Sequence, residues 1–277
     1  MTDTNNFTFS LASFNTHGVV FPSLLVREKH SLIGQSLEQL SPDMINLQEV
    51  WSYDSLRVFK KSLCSYPYAA YKHGIFGPKA GLVTFSRFPL TAVEFVNFPP
   101  VAEPRKKKWI NQLKRSLKKK GVLVSTYTEN LLTICNVHLV ANGDADWSAS
   151  SRYYSAHEHD IAALTDLLNL FTQKESGQLI IVSGDFNIPK CSDLYQKFIA
   201  ISQATDLFEY DESPTYHKEF LFPGQIPHRI DYIFAFSQSP LHIGHKELLF
   251  QERFSLSSGE YQYLSDHIGL CIRIHTR

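Results

Sequence analysis

The stretch Leu179-Ile180-Ile181-Val182-Ser183-Gly184-Asp185-Phe186-Asn187 decides how this chain is read. Four apolar residues in a row, three of them β-branched, predict a short buried strand over 179–182. That strand runs without a break into Ser-Gly, then into a carboxylate and a carboxamide two residues apart. Asp185 and Asn187 fit an ordinary Asx-type turn. They also fit a ligand site, because a sheet holds its strand ends rigid while the loops beyond leave room for a ligand.

The same juxtaposition recurs in both directions. Asn15 follows a strand predicted over 7–14, Glu49 follows 44–47, and His138 ends 131–138. Asp231 lies at the start of 229–236, and Asp266 precedes a strand over 267–274 that opens on His267. Taken singly, each residue has a turn or capping explanation. Gathered at strand ends in one chain, they point to a shared site.

Further strands are predicted over 68–71, 81–86 and 121–127. Helices are predicted over 27–40, 55–63 and 150–172. In the first, Ile33, Leu37 and Leu40 recur at helical spacing and Pro42 marks the stop; in the last, Ile161, Leu164, Leu168 and Phe171 share a face. Strands and helices interleave, yet several strands follow one another directly, which argues for mixed sheets with helices on their outer faces. With no short repeat and no low-complexity linker, residues 1–277 read as a single domain with a basic insertion at about 103–120.

Composition agrees with a globular protein: 43% hydrophobic, 19% charged, and 36 aromatic residues to fill a core. The net charge of zero hides an asymmetry. Nine of the 27 Lys and Arg residues fall between Val101 and Gly121 beside one acid, Glu103, so the rest carries 18 basic against 26 acidic residues. Cys64, Cys135, Cys191 and Cys271 form no CxxC pair and no Cys/His cluster, and they read as reduced thiols in a reducing compartment. Residues 1–6 are polar and lack the pattern of a secretory signal, and no apolar run approaches the roughly 20 residues of a membrane span. The expected location is cytoplasmic, with room for peripheral membrane contact.

The ordered set of segments is specific. Ser13-Phe14-Asn15, Leu47-Gln48-Glu49-Val50-Trp51, Gly81 to Leu90, Asn136-Val137-His138-Leu139, Ser183 to Asn187, Arg229-Ile230-Asp231-Tyr232 and Leu264-Ser265-Asp266-His267 occur in that order. This resembles the endonuclease/exonuclease/phosphatase (DNase-like) superfamily over nearly the whole chain. Within it the chain is most similar to neutral sphingomyelinase-type phosphodiesterases: the glutamate sits in Glu49-Val50-Trp51, the 131–138 strand leads through a polar loop to a helix with Arg152, Tyr154 and His157, and Gly259 to Tyr263 precede Leu264-Ser265-Asp266-His267. Val140-Ala141 and the insertion from Arg105 to Lys120 depart from that pattern. The fold this resemblance implies is α/β, a four-layer α/β/β/α sandwich of two mixed β-sheets flanked by helices, with the site at one end.

The implied activity is a Mg2+-dependent phosphoesterase that hydrolyses a phosphodiester with an activated water, Mn2+ substituting. The expected substrate is a phospholipid head group; the alternatives are a nuclease, or a phosphatase acting on nucleotides or inositol phosphates. Glu49 is the anionic oxygen ligand that Mg2+ prefers, joined by Asn15 and Asp266. Asp185 orients or deprotonates the water, and Asn187 holds the water or a phosphate oxygen. His267 is a proton-transfer group, with Asp231 fixing its tautomer. His138 binds the scissile phosphate, and a protonated ring there would stabilise the anion. The residues leave open which histidine is base and which is electrophile. His17, His157 and His159 are expected in surface or capping roles. The full set of core residues argues against a catalytically dead binding module.

From Arg105 to Lys120, Trp109, Leu113 and Leu117 recur at i, i+4 and i+8 among lysines. As a helix this suits an anionic membrane surface. It also fits a nucleic-acid backbone or a solvated loop, and the acidic body of the chain weighs against nucleic acid. The chain is expected to be a monomer.

Overall fold

Strand β1 (Thr8–Asn15) shows how the layers arise. Its side chains alternate: Phe9 and Leu11 point to one face, Ala12 and Phe14 to the other, and both faces are buried. A strand buried on both sides needs a layer above and below it. The computed structural model describes residues 7–99, 120–127, 132–174 and 178–276. The expected basic insertion, apart from Lys120, falls outside the described residues.

The remaining strands are β2 (Met44–Gln48), β3 (Tyr68–Ala70), β4 (Val83–Ser86), β5 (Ala92–Asn97), β6 (Gly121–Tyr127), β7 (Leu132–His138), β8 (Leu179–Asp185), β9 (Thr205–Asp206), β10 (Asp231–Phe236), β11 (Leu241–Leu249), β12 (Phe254–Ser255), β13 (Tyr261–Gln262) and β14 (Gly269–Thr276). Helices α1 (Leu24–Leu40), α2 (Tyr53–Ser62), α3 (Tyr154–Lys174) and α4 (Asp193–Ser202) accompany them. One six-stranded sheet runs β11-β14-β1-β2-β4-β3 and the other β5-β6-β7-β8-β10-β9, each mixing parallel and antiparallel pairs.

Three cores separate four layers. Phe9, Leu11 and Ile272 meet Ile134, Ile181 and Ile233 between the sheets. Ile33, Leu37, Leu56 and Phe59 of α1 and α2 cover the outer face of the first sheet against Phe14, Leu47 and Phe85. Ile161, Leu164, Leu168 and Phe198 of α3 and α4 cover the second against Val124, Val137 and Val182. This is the α/β/β/α sandwich.

Several element ends differ from the sequence reading. Helix α1 starts one turn before residue 27 because the Ser23 hydroxyl accepts from Val26 N at 3.3 Å, capping the helix there. Its end is set by Ser41 in the left-handed region, one residue before Pro42. Helix α3 begins at Tyr154 rather than 150, and the strand from 179 continues to Asp185. Strands β5, β9 and β11 and helix α4 were not anticipated. Strand β11 lies at a sheet edge with most of its residues exposed, so it lacks the apolar alternation that marks a strand.

The inter-sheet face changes character along the strands. Met44 gives way to Asn46 and Gln48, Leu132 and Ile134 to Asn136 and His138, and Leu179 and Ile181 to Ser183 and Asp185. The polar half is closed by hydrogen bonds between the sheets: Asn46 Nδ2 to Ser183 Oγ at 2.8 Å and Gln48 Nε2 to Asn136 Oδ1 at 2.9 Å. Buried polar groups are tolerated when paired in this way.

Candidate active site

Strand directions bring the functional residues to one end. Strands β1 and β2 are parallel, β7 and β8 are parallel, and β10 and β14 run against them. The ends of β1, β2, β7 and β8 therefore lie beside the starts of β10 and β14. In the second sheet His138 is the register partner of Asp185, and Asp185 of Asp231, so the three form one row across β7, β8 and β10. Gly184 permits the row: at φ +144°, a Cβ there would sit 1.9 Å from Val137 O.

The first sheet supplies the facing side. Asn15 Nδ2 donates to Asp185 Oδ2 at 2.9 Å. His267 Nδ1 lies 2.9 Å from Asp231 Oδ2, and its Nε2 lies 3.6 Å from Asp185 Oδ2. His138 Nε2 lies 3.5 Å from Asp185 Oδ2 and 3.9 Å from Glu49 Oε1. Asn187 N donates to Asp185 Oδ1 at 2.8 Å, the turn that returns the carboxamide to the site. All eight residues singled out from the sequence thus converge. Glu49, His138, Asp185, Asn187, Asp266 and His267 line a cleft of about 290 Å³, with Asn15 and Asp231 buried behind them.

Glu49 and Asn187 hold left-handed backbone, at φ +63° and +55°. For non-glycine residues such conformations cost about 1–3 kcal/mol each and concentrate at functional sites. Beside Glu49, Gly81 lets Val50 N reach Gly81 O at 2.9 Å.

The electrostatics separate the two histidines. Burial alone would lower His267, but the carboxylates of Asp231 and Asp185 outweigh it and hold the ring well above the usual histidine range. Burial lowers His138 well below that range, with the Lys120 charge adding to the effect. The two shifts are opposite in sign, favouring a neutral His138 ring beside a charged His267 ring. Burial raises Asp185 and Glu49, in both cases against the attraction of His267. Burial would raise Asp266 too, but the hydrogen bond from His17 and the His267 charge hold it well below the carboxylate range.

Other residues join the site without a signal in the sequence. Tyr216 donates its hydroxyl to Asp266 Oδ2 at 3.0 Å and presents its ring edge to His267. Thr215 Oγ1 accepts from Asp231 N at 3.0 Å, and Trp147 Nε1 donates to Asn187 O at 2.9 Å. His17 is exposed, as expected of a surface residue, and its ring also stands 3.1 Å from Asp266 Oδ1 at the edge of the site. His157 departs from the surface expectation: it is fully buried in α3 and neither ring nitrogen has a partner. Lys120, counted with the insertion, precedes β6 beside this end, and its charge acts on Glu49 as well as His138.

The donor chemistry fits a hard divalent cation. The Glu49 carboxylate faces the cleft, an anionic oxygen of the kind a hard divalent cation prefers. Asp266 and the amide oxygen of Asn15 add oxygen donors. Asp185, Asp231 and His267 also offer ligand atoms within 4.8 Å of one another. However, His267 has a carboxylate facing each nitrogen, and an imidazolium has no lone pair for a metal.

The Endonuclease/Exonuclease/phosphatase family matches residues 12–267. A Schizosaccharomyces pombe protein, Inositol phosphosphingolipids phospholipase C, is 28% identical over 188 residues, which are 65% of this chain and 41% of that protein. The chain therefore spans about two fifths of that relative's length. Among solved structures, TDP2 from Caenorhabditis elegans is similar with a TM-score of 0.72 at 15% identity, covering 97% of this chain and 75% of that one. Sphingomyelinase C from Streptomyces griseocarneus is similar with a TM-score of 0.71 at 14% identity, covering 98% and 99%. At these identities the likeness concerns the fold alone.

Proposed function

Because this chain belongs to the Endonuclease/Exonuclease/phosphatase family and is a phosphoric ester hydrolase of the phosphodiesterase type, we propose that it cleaves the head-group phosphodiester of a phospholipid with the aid of Mg2+. The observation that carries this reading is the cleft itself. Its floor holds Glu49, Asp185, His138 and His267, while Ala141, Ala145, Trp147, Phe220, Leu221 and Ile226 wall it. A polar floor suits the phosphoryl group, and apolar walls suit what surrounds it in a lipid interface. The relative named as a phosphosphingolipid phospholipase C supports the same substrate class.

Glu49, Asp266 and the Asn15 oxygen would hold the ion, which would supply charge stabilisation to the phosphoryl group. Asp185, freed of its proton, takes one from the attacking water, while the Asn187 amide fixes the position of that carboxylate. His267, kept protonated by Asp231, neutralises charge gathering on the phosphoryl group and gives its proton to the lipid oxygen as the bond from that oxygen to phosphorus breaks. His138 donates a neutral hydrogen bond to the same oxygens. In this reading His267 is the electrophile and the carboxylate Asp185 is the base.

The segment from Arg105 to Lys120 forms part of the same proposal as a contact with an anionic membrane surface by a monomeric, cytoplasmic enzyme. Among the described residues no helix is long and apolar enough to cross a membrane. The test is a substrate panel with Mg2+: sphingomyelin, inositol phosphosphingolipid, lysophospholipids, plasmid DNA, inositol polyphosphates and a soluble aryl phosphodiester. Turnover of DNA or of free inositol phosphates in preference to every lipid would overturn the substrate class.

A further inference from the structure

Apolar side chains that stand in water are not spread evenly over this molecule. Among the described residues, five Phe, Leu, Ile or Val side chains are more than two thirds exposed: Phe21 (81%), Leu24 (81%), Ile75 (68%), Phe222 (73%) and Ile226 (70%). All five lie at the site end. Phe21 and Leu24 follow β1, whose end carries Asn15. Strand β3 is antiparallel to β4, which is antiparallel to β2, so β3 runs parallel to β2 and residues 71–78, with Ile75, leave from the same end. Phe222 and Ile226 sit in the loop that feeds the start of β10 and wall the cleft.

The tips form two groups around the cleft. Phe21 meets Phe76 with ring centroids 5.8 Å apart, joining the loops after β1 and β3. Phe220 reaches His17 at 6.1 Å, linking the second group to the first beside the catalytic residues. Exposed apolar groups clustered around a polar opening mark an interaction surface.

The charge at this end selects the partner. Phe98 N donates to Lys120 O at 3.1 Å at the end of the β5–β6 pair that adjoins His138, so the chain between them departs and returns at the site end. That chain carries eight Lys and Arg residues against Glu103 alone. Apolar tips at the end where the basic stretch of sequence joins the described strands match a bilayer with anionic head groups. A polynucleotide would satisfy the basic stretch and could stack on Phe21 and Phe222, but it would leave Leu24, Ile75 and Ile226 standing in water, whereas a bilayer takes up all five.

We infer that Phe21, Leu24 and Ile75 on one side, and Phe222 and Ile226 on the other, form a rim that seats on a phospholipid bilayer and brings the cleft to the head-group plane. The inference rests on the phospholipid reading above, and its test separates the two.

The full chain is compared with Phe21→Ser/Ile75→Ser and Phe222→Ser/Ile226→Ser variants, each checked by circular dichroism and thermal melting. Binding to phosphatidylcholine/phosphatidylserine vesicles is measured by co-sedimentation in EDTA, where no hydrolysis is needed. Each double variant should bind vesicles at least about tenfold more weakly, since apolar insertion drives such binding. Phe21→Ser/Ile75→Ser should hydrolyse a soluble aryl phosphodiester at the normal rate while slowing on lipid vesicles. Vesicle binding unchanged in both variants would overturn the rim. So would equal losses on the soluble and vesicle substrates, or a dimer of the unmodified chain that the variants dissolve while vesicle binding is absent. If the unmodified chain binds vesicles through these residues yet cleaves no phospholipid, the rim stands and the substrate reading falls.

Discussion

The Asp231 carboxylate and the His267 ring, 2.9 Å apart, belong to different sheets, so their hydrogen bond crosses the interior of the sandwich. Asp231 starts β10 in the second sheet, and His267 lies two residues before β14 in the first. The bond orients the ring and favours its charged form. Asp231→Asn preserves the shape and removes the charge. Turnover should fall by roughly 10²–10⁴-fold with little change in KM, as expected for a misoriented and neutral histidine. Steady-state kinetics with a soluble phosphodiester, on protein shown to be folded, would read this; a kcat within a few-fold of normal would remove Asp231 from the proposed mechanism.

Asp185→Ala and His267→Ala should each lower turnover by about 10²–10³-fold while the protein stays folded. The double variant should lose far less than the product of the two, because groups 3.6 Å apart act as one unit. Multiplicative losses would show the residues working independently.

Chelation should abolish hydrolysis, and Mg2+ or Mn2+ should restore it. Glu49→Gln should raise the Mg2+ concentration required by an order of magnitude or more, since one anionic oxygen becomes neutral. Calorimetric titration of Mg2+ into the protein without substrate gives a reading independent of turnover. Equal Mg2+ affinity in both proteins would place the ion elsewhere.

His30 and His157 should make the protein sensitive to acid. Burial holds each at a pKa of about 4, against 6.5 for a free ring. Between these values the unfolded chain binds protons that the folded protein excludes. The stability contributed by the neutral rings is therefore complete above pH 6.5 and is lost as pH falls towards 4, by about 3 kcal/mol for each ring, on the order of 1.4 kcal/mol per pKa unit. Denaturant unfolding at pH 7, 5.5 and 4.5 would show the slope. His157→Leu should reduce it by about one proton; an unaltered slope would mean the ring is charged when folded.

Much of this site was legible from strand ends. An apolar run that stops on Asp, Asn, Glu or His states both where the sheet ends and what chemistry stands there, and Asp185, Asn187 and His138 were found that way. Cys135 and Cys271, which fall in apolar runs of the sequence, are buried in β7 and β14, while Cys64 and Cys191 are exposed. Tyr216, Thr215 and Trp147 were not legible, because they sit in loops whose path no periodicity records. The pairing of the exposed His17 with Asp266 is not legible for a related reason: the partner lies 249 positions later, and a lone histidine carries no mark of it. Asn46 and Gln48 are polar residues inside a strand. Their meaning appears only when Ser183 and Asn136 arrive from the other sheet.

Division of the site between two sheets also sets when activity can begin during synthesis. The first sheet opens with β1 but is completed by β14, which lies between β1 and β11. The Ser265 hydroxyl donates to Asn15 O across 250 positions, and Asp266 and His267 follow at once. A nascent chain emerging from the ribosome through β10 has made Asn15, Glu49, His138, Asp185 and Asp231 but has no imidazole for Asp231 to hold. In the proposed mechanism hydrolysis then waits until Ser265, Asp266 and His267 have been translated and β14 has been inserted beside β1, and stays silent until that closure.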